Sequence, residues 1–327
     1  MKLATLKDGS PDGKLMIVSR DLKRAVMVTD IVPSLREAVE RWAAVLPALQ
    51  EKARALEAGR AGNAFAFDAC KVAAPLPRAP QWLDSSSYKS HGRRMVKAFN
   101  LSTASLEVDH PLMYQGASDS FLGARDDMVL PSEDHGIDIE AELGVITDFV
   151  PMNTKSADAL AKVLLIVLLD DVSLRRLLFG EMSLGFGMIQ SKPTCVFSQV
   201  AVTPDELGEA WRDGRVHLPM IVEVNGRGIG YLDCGEMGFS FGEIIAHACR
   251  TRTLAAGTII GSGTISNHDE SAGSACLAER RALEILEHGA AQTDFLHFGD
   301  RVRIEVKNGD GASVFGAIDH GFTKLGT

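Results

Sequence analysis

The sequence predicts an α+β protein, predominantly β, in two parts. Three observations carry that expectation. Strand-like runs separated by tight-turn signals recur along the 327 residues. Helical patterns are fewer and do not alternate with strands as βαβ units require. The stretch Ala73-Ala74-Pro75-Leu76-Pro77-Arg78-Ala79-Pro80 is too rich in proline for regular structure and marks a boundary. A small N-terminal β/α domain over residues 1–78 and a larger C-terminal domain over 79–327 are therefore expected.

Taken in order, residues 3–6 and 14–19 read as strands joined through Asp8-Gly9-Ser10-Pro11-Asp12-Gly13, a hairpin. From Ser34 to about Gly59 the spacing turns helical, with Leu35, Val39, Trp42, Ala43, Leu46 and Leu49 three or four apart. Ser34 suits a cap, and Pro47 predicts a kink or two shorter helices. Further helices are expected over 157–163, 241–254 and 276–288. Residues 164–169 read as a buried strand. Asn225-Gly226 between 220–224 and 228–230, and Asn308-Gly309 between 301–306 and 313–318, predict two more hairpins.

Hydrophobic residues make up 46% and charged residues 24%, ordinary for a globular chain, and the net charge is −9. The absence of a basic run to neutralise phosphates argues against a nucleic-acid partner, and a small molecule or another protein is expected instead. Cys70, Cys195, Cys234, Cys249 and Cys276 are scattered and never form a C-x-x-C pair, so neither a disulfide framework nor a zinc site is indicated. Buried free thiols in a reducing compartment are expected. The first eight residues lack the apolar core of a signal peptide, and the apolar run 164–169 is too short to span a bilayer, so the expectation is a cytoplasmic protein without a membrane partner.

Chemistry concentrates in Ile137-Asp138-Ile139-Glu140-Ala141-Glu142-Leu143-Gly144-Val145-Ile146. Apolar residues alternate, as in a half-buried strand, so Glu140 and Glu142 share a face with Cα atoms roughly 6.5–7 Å apart. Alone, that pattern also describes the solvated face of an edge strand. The apolar run 164–169 ends in Asp170-Asp171, where a strand end can present carboxylates to a cation or Asp170 can cap the following turn. Asp84 and His91 flank a short polar segment, a candidate ligand and base, or a cap and a surface histidine. An all-carboxylate set selects a hard cation, Mg²⁺, Ca²⁺ or Mn²⁺, over zinc. Gly261-Ser262-Gly263-Thr264 lacks a Walker lysine and any G-x-G-x-x-G pattern, which argues against nucleotide binding.

Glu140-x-Glu142, Asp171-Val-Ser-Leu-Arg175, Gln190-Ser191-Lys192-Pro193, Gly261-Ser262-Gly263-Thr264-Ile265-Ser266-Asn267 and the Asp84…His91 spacing occur in the order found in the fumarylacetoacetate hydrolase family. Over nearly the whole chain the sequence resembles that family, most of all its bacterial fumarylacetoacetase-like members. The resemblance implies a C-terminal mixed β-sandwich or roll and a homodimer through that domain. It also implies metal binding by Asp84, Glu140, Glu142 and Asp171, with Mg²⁺ or Ca²⁺ as cofactor and Mn²⁺ as an alternative. His91 matches the general base, Glu279 the carboxylate that orients it, and Lys192 the lysine that stabilises the developing anion. Tyr114, Arg175 and Thr264 match substrate-contacting positions.

The implied reaction is hydrolysis of a carbon–carbon bond in a β-diketo acid, fumarylacetoacetate to fumarate and acetoacetate, in tyrosine and phenylalanine degradation. Acylpyruvate hydrolysis, or decarboxylation or isomerisation of oxaloacetate and catechol-pathway acids, is the alternative within the family, and a catalytically silent ligand-binding protein the alternative outside it. Two departures stand out. His91 is followed by Gly92-Arg93-Arg94, where bacterial relatives carry an acidic stretch; the basic pair predicts an altered lid and a pocket suited to a dicarboxylate. Gln199 stands where proline is common, and reads as a loop detail without function.

Overall fold

The N-terminal turn signals produce the expected hairpin in the computed structural model, which describes residues 1–326. β1 (Lys2–Leu6) pairs with β2 (Lys14–Val18), β2 with β3 (Arg24–Met27), and β3 with a later short strand. The helical stretch divides, but at Arg41 rather than at the proline: α1 (Leu35–Glu40) is capped by the Ser34 hydroxyl, which accepts from Glu37 N–H, and α2 (Trp42–Glu57) contains Pro47. In the second turn of α2 a proline removes a single backbone bond, which sixteen helical residues absorb. β4 (Phe65–Ala66) closes this part of the chain against β3.

Beyond the proline-rich stretch come β5 (Trp82–Ser86), α3 (Lys89–Phe99), β6 (Leu112–Gly116), β7 (Met128–Leu130), β8 (Ile137–Asp138), β9 (Ala141–Thr147), α4 (Ser156–Leu160), β10 (Val163–Asp170), β11 (Ser173–Leu174) and α5 (Arg175–Leu184). They are followed by β12 (Val196–Phe197), β13 (Ala201–Val202), β14 (Trp211–Arg212), β15 (Arg215–Val216), β16 (Pro219–Val224), β17 (Arg227–Asp233), α6 (Phe241–Ala248), β18 (Ile259–Gly261), α7 (Leu277–His288), β19 (Arg301–Val306) and β20 (Ile318–Lys324). An eleven-stranded sheet runs β4-β3-β2-β1-β13-β10-β9-β18-β5-β6 with β12 beside β10, and a five-stranded sheet runs β17-β16-β19-β20-β7. Lys2 pairs with Val202 and Leu3 with Ala201, so strands from both parts of the chain share the large sheet.

Alternate residues of β10 enter two different cores: Leu165, Val167 and Leu169 join the one beneath α1 and α2, whereas Ile166 and Leu168 face the other. Such a strand, buried on both faces, reads as a continuous apolar run.

Several expectations need correction. Helix α4 ends at Leu160 because Val163 already opens β10; α6 ends at Ala248, and Leu254 instead bridges Val150. After β19 the chain turns at Asn308-Gly309 and touches back at Ser313, but Gly316 (φ +73°) redirects it and pairing resumes only at Ile318 opposite Ile304. The strand carrying the two glutamates is interrupted between β8 and β9 and is buried throughout, not half-solvated, because β10 and β18 flank it. Cys70 is exposed, and the four other thiols are buried and unpaired. Helices α3 and α5 were not evident in the apolar spacing, and both border the site.

Candidate metal and active site

Asp84, Glu140, Glu142 and Asp171 converge: one carboxylate oxygen from each lies within 4.8 Å of all the others, and all four side chains are buried. Strand parity explains the convergence. Trp82 and Asp84 point to the same face of β5 as Leu169 and Asp171 at the end of β10, while Glu142 leaves β9 on that face too. Between β5 and β9 runs β18, and its last residue there is Gly261. A Cβ on Gly261 would stand 2.3 Å from Asp84 Oδ1 and 3.1 Å from Glu142 Oε2. Gly261 thus makes room for carboxylates, while Gly263 lets the chain approach the Ser85 and Ser86 backbone of β5. Gly263, at φ +80°, donates its N–H to Asp84 Oδ1 and to Glu142 Oε2, each at 3.1 Å.

Burial, with Asp171 nearby, pushes the Asp84 carboxyl up to about 8, and burial, with Asp84 and Asp171 nearby, holds Glu142 well above the carboxylate range. Glu142 Oε1 is buried without a hydrogen-bond partner. An orphaned carboxylate oxygen facing three other buried carboxylates is the donor set that a hard divalent cation satisfies. The site residues fit such an ion.

Lys192 lies against this cluster. Its ammonium donates to Glu140 Oε2 and Asp171 Oδ2, both at 2.6 Å, and to the Asp171 carbonyl at 3.1 Å. Burial works to lower its pKa, but Asp171 and Glu140 overcome this and keep it raised and charged. Burial likewise works to raise Glu140, yet Lys192 and Arg175 bring it down to about 2. Tyr114 sits opposite Asp84 across β5 and β6 and donates its hydroxyl to Asp171 Oδ2 at 2.5 Å. Cys195 Sγ lies 3.0 Å from Asp171 Oδ1. Thr264 is buried next to Gly263.

His91, on α3, places Nδ1 2.5 Å from Glu279 Oε2 on α7. Glu279 is fully buried. Burial works to raise its carboxyl, but His91, Ser266 and Arg94 outweigh this and keep it ionised. Arg94 revises the reading of the basic pair. Arg93 is exposed, but Arg94 is buried, pairs with Glu279 Oε1, and donates to Ser266 Oγ at 2.9 Å and to the Asn267 carbonyl at 2.6 Å. It supports the dyad from behind rather than charging a lid.

Arg175 bridges the two groups. Nε donates to Asp138 Oδ2 at 2.7 Å, and Nη2 stands 2.7 Å from Glu140 Oε1 as an ion pair without hydrogen-bond alignment. Asp138 in turn accepts from the N–H groups of Leu277 and Ala278, anchoring the first turn of α7. Asp170 caps no helix. Its Oδ1 accepts from Glu140 N–H at 2.9 Å, and its Oδ2 meets buried His320 Nε2 at 2.9 Å. Gln199 lies in the bend between β12 and β13 and, buried, donates to the Ala317 carbonyl at 3.0 Å where Gly316 turns the chain. The roles of Asp138, Arg94 and His320 escaped the sequence reading because each acts through a partner far away in the chain. For Asp138 a signal existed, since it belongs to the same alternating run as the glutamates.

Residues 81–324 match the family model described as fumarylacetoacetate (FAA) hydrolase C-terminal, and residues 1–78 match fumarylacetoacetase N-terminal domain 2. A curated relative, a 2,4-didehydro-3-deoxy-L-rhamnonate hydrolase from Sphingomonas sp. (strain SKA58), is 32% identical over 157 residues, 47% of this chain and 52% of that protein. The match thus spans about half the length of that relative. Among solved structures, a fumarylacetoacetate hydrolase from Exiguobacterium antarcticum superposes with TM-score 0.68 at 18% identity, over 99% of this chain and 100% of the other. Maleylpyruvate hydrolase from Sphingobium sp. SYK-6, solved with manganese(II) and pyruvate, gives 0.66 at 17% identity over the full length of both. At these identities the structural likeness speaks for the fold, whereas the two family models together account for almost every residue. The chain belongs to the fumarylacetoacetate hydrolase family.

Proposed function

We propose that this protein is a divalent-metal hydrolase that cleaves a carbon–carbon bond in a β-diketo acid. The observation that carries this reading is a His91–Glu279 dyad beside a cluster of four buried carboxylates that holds a charged lysine. Bound there, a divalent cation supplies Lewis acidity, polarising a carbonyl oxygen and accommodating negative charge. With Nδ1 held by Glu279, the other ring nitrogen of His91 is the one free to take a proton from water as the water oxygen bonds to the carbonyl carbon. Glu279 stabilises the imidazolium. The carbon–carbon bond then breaks, its electron pair leaves with the carbon between the two carbonyls, and His91 returns the proton to that carbon. Lys192 adds a positive charge near the oxygen anion. Every residue used lies in 79–327, to which the reading assigns catalysis.

Resemblance names fumarylacetoacetate as substrate. A second reading, an acylpyruvate, is favoured by the apolar side chains of Met95, Val96 and Phe99, which share a groove with His91. A panel of fumarylacetoacetate, acylpyruvates and oxaloacetate, assayed with Mn²⁺ or Mg²⁺ after chelation, tests both. Hydrolysis restored by the cation and removed in His91→Ala is the expected result; carbon dioxide release that survives His91→Ala would replace hydrolysis by decarboxylation. The reading includes a homodimer, which the exposed apolar residues Leu184, Phe186 and Ile189 support and sedimentation tests.

A further inference from the structure

A groove of about 410 Å³ opens between α3, α5 and α7, with His91 and Arg175 in its wall. Apart from Arg176 and Arg281 the rest of the lining is apolar, chiefly Met95, Val96 and Phe99 from α3 and Leu178, Phe179 and Met182 from α5. The arginines in that wall are engaged elsewhere: Arg175 with Asp138 and Glu140, Arg176 with the Asp134 carbonyl at 2.9 Å, and Arg281 with the Thr293 carbonyl and the Phe295 ring. We infer that the groove receives an apolar tail on the acyl side of the substrate, an inference that rests on the β-diketo acid reading. His91 and Arg175 tie the groove to the reacting centre, since Arg175 reaches Glu140 and His91 is the group that handles the proton of water. A distal carboxylate placed among Met95, Val96 and Phe99 would be desolvated, and the guanidinium groups of Arg176 and Arg281 are held by the Asp134 and Thr293 carbonyls at the groove wall. An alkyl or aryl group there gains by leaving water.

The test measures kcat/KM of the Mn²⁺-loaded full chain for acetylpyruvate, hexanoylpyruvate, benzoylpyruvate and the dicarboxylate fumarylpyruvate, which share one head group. Hexanoylpyruvate is expected to exceed acetylpyruvate by about tenfold or more, given roughly 0.8 kcal/mol per buried methylene, and fumarylpyruvate to fall below both apolar substrates. Filling the groove with Val96→Phe or Leu178→Phe is expected to reduce the hexanoyl-to-acetyl ratio to near one. The ratio is internal to each variant, so partial loss of folded protein does not disturb it. Equal rates for all tails, or preference for fumarylpyruvate, would overturn the inference. Binding of hexanoate against fumarate, followed by saturation-transfer NMR, separates the two levels. Hexanoate favoured in wild type but not in Val96→Phe, with no substrate cleaved, rejects the hydrolase and upholds the groove. Hexanoate binding no better than fumarate rejects the groove, whatever is cleaved. A fall in sedimentation mass in Val96→Phe would assign the groove to a second copy and also overturn the inference.

Discussion

Glu279 keeps its charge in a buried position because His91, Arg94 and Ser266 all meet its two oxygens. Arg94 is a positioning residue in this arrangement, and its removal leaves a buried carboxylate short of a charged partner. Arg94→Met is expected to lower kcat/KM about 10- to 100-fold, since a hydrogen bond to a charged group contributes roughly 1.5–3 kcal/mol, and to lower the melting temperature. Arg94→Lys should recover part of both. Steady-state kinetics and calorimetry on the two variants check this; wild-type rates in Arg94→Met would show that the clamp is unrelated to catalysis.

At the scale of elements, β18 and α7 carry the placement. Gly261→Ala drives a methyl group into Asp84 Oδ1, so the β5 and β9 carboxylates must separate. Loss of most Mn²⁺ affinity in titration calorimetry is expected, whereas Gly309→Ala, where an added Cβ meets nothing within 4 Å, should change stability by no more than about 0.5 kcal/mol. Asp138→Ala removes the anchor of α7 and leaves Arg175 buried with Glu140 alone. A cost of about 3–5 kcal/mol in urea denaturation is expected, the usual penalty for breaking a buried ion pair. A much smaller cost would mean that α7 is held mainly by its apolar contacts.

For the molecule as a whole, the carboxylate cluster makes stability depend on pH and on the cation. Asp84 moves from 3.8 up to about 8 on folding, so the metal-free fold carries no penalty from it below about 4 and loses stability as pH rises toward 8. Glu140, lowered from 4.5 to about 2, works in the opposite sense: its contribution is present above 4.5 and disappears only as pH falls toward 2. Between pH 5 and 8 the Asp84 effect therefore changes while that of Glu140 does not, and Glu142, also raised by burial, acts in the same direction as Asp84. Melting temperature in EDTA is expected to fall across that range, and added Mn²⁺ to raise it most at the upper end. A cation at a hundred times its Kd stabilises by about 2.7 kcal/mol. A melting temperature in EDTA that does not fall would contradict the clustering of these groups.

The sequence by itself determined the hairpins at residues 8–13 and 225–226, the buried run of β10 and the order of carboxylates, histidine and lysine, because turn chemistry, two-residue strand alternation and motif spacing are local properties. Helix α3 was hidden because its groove-facing side begins with His91 and Gly92 and becomes apolar only from Met95, so the apolar stripe is too short to mark it. Only the tertiary structure decided that Glu142 is wholly buried, that Gly261 makes room between two strands for their carboxylates, and that Arg94 faces Glu279 from 185 residues away. It likewise decided the apolar character of the groove beside His91, which three separate helices create. Such facts depend on which strands are neighbours and which helix faces meet, and long-range packing sets these with no trace in any short stretch of chain.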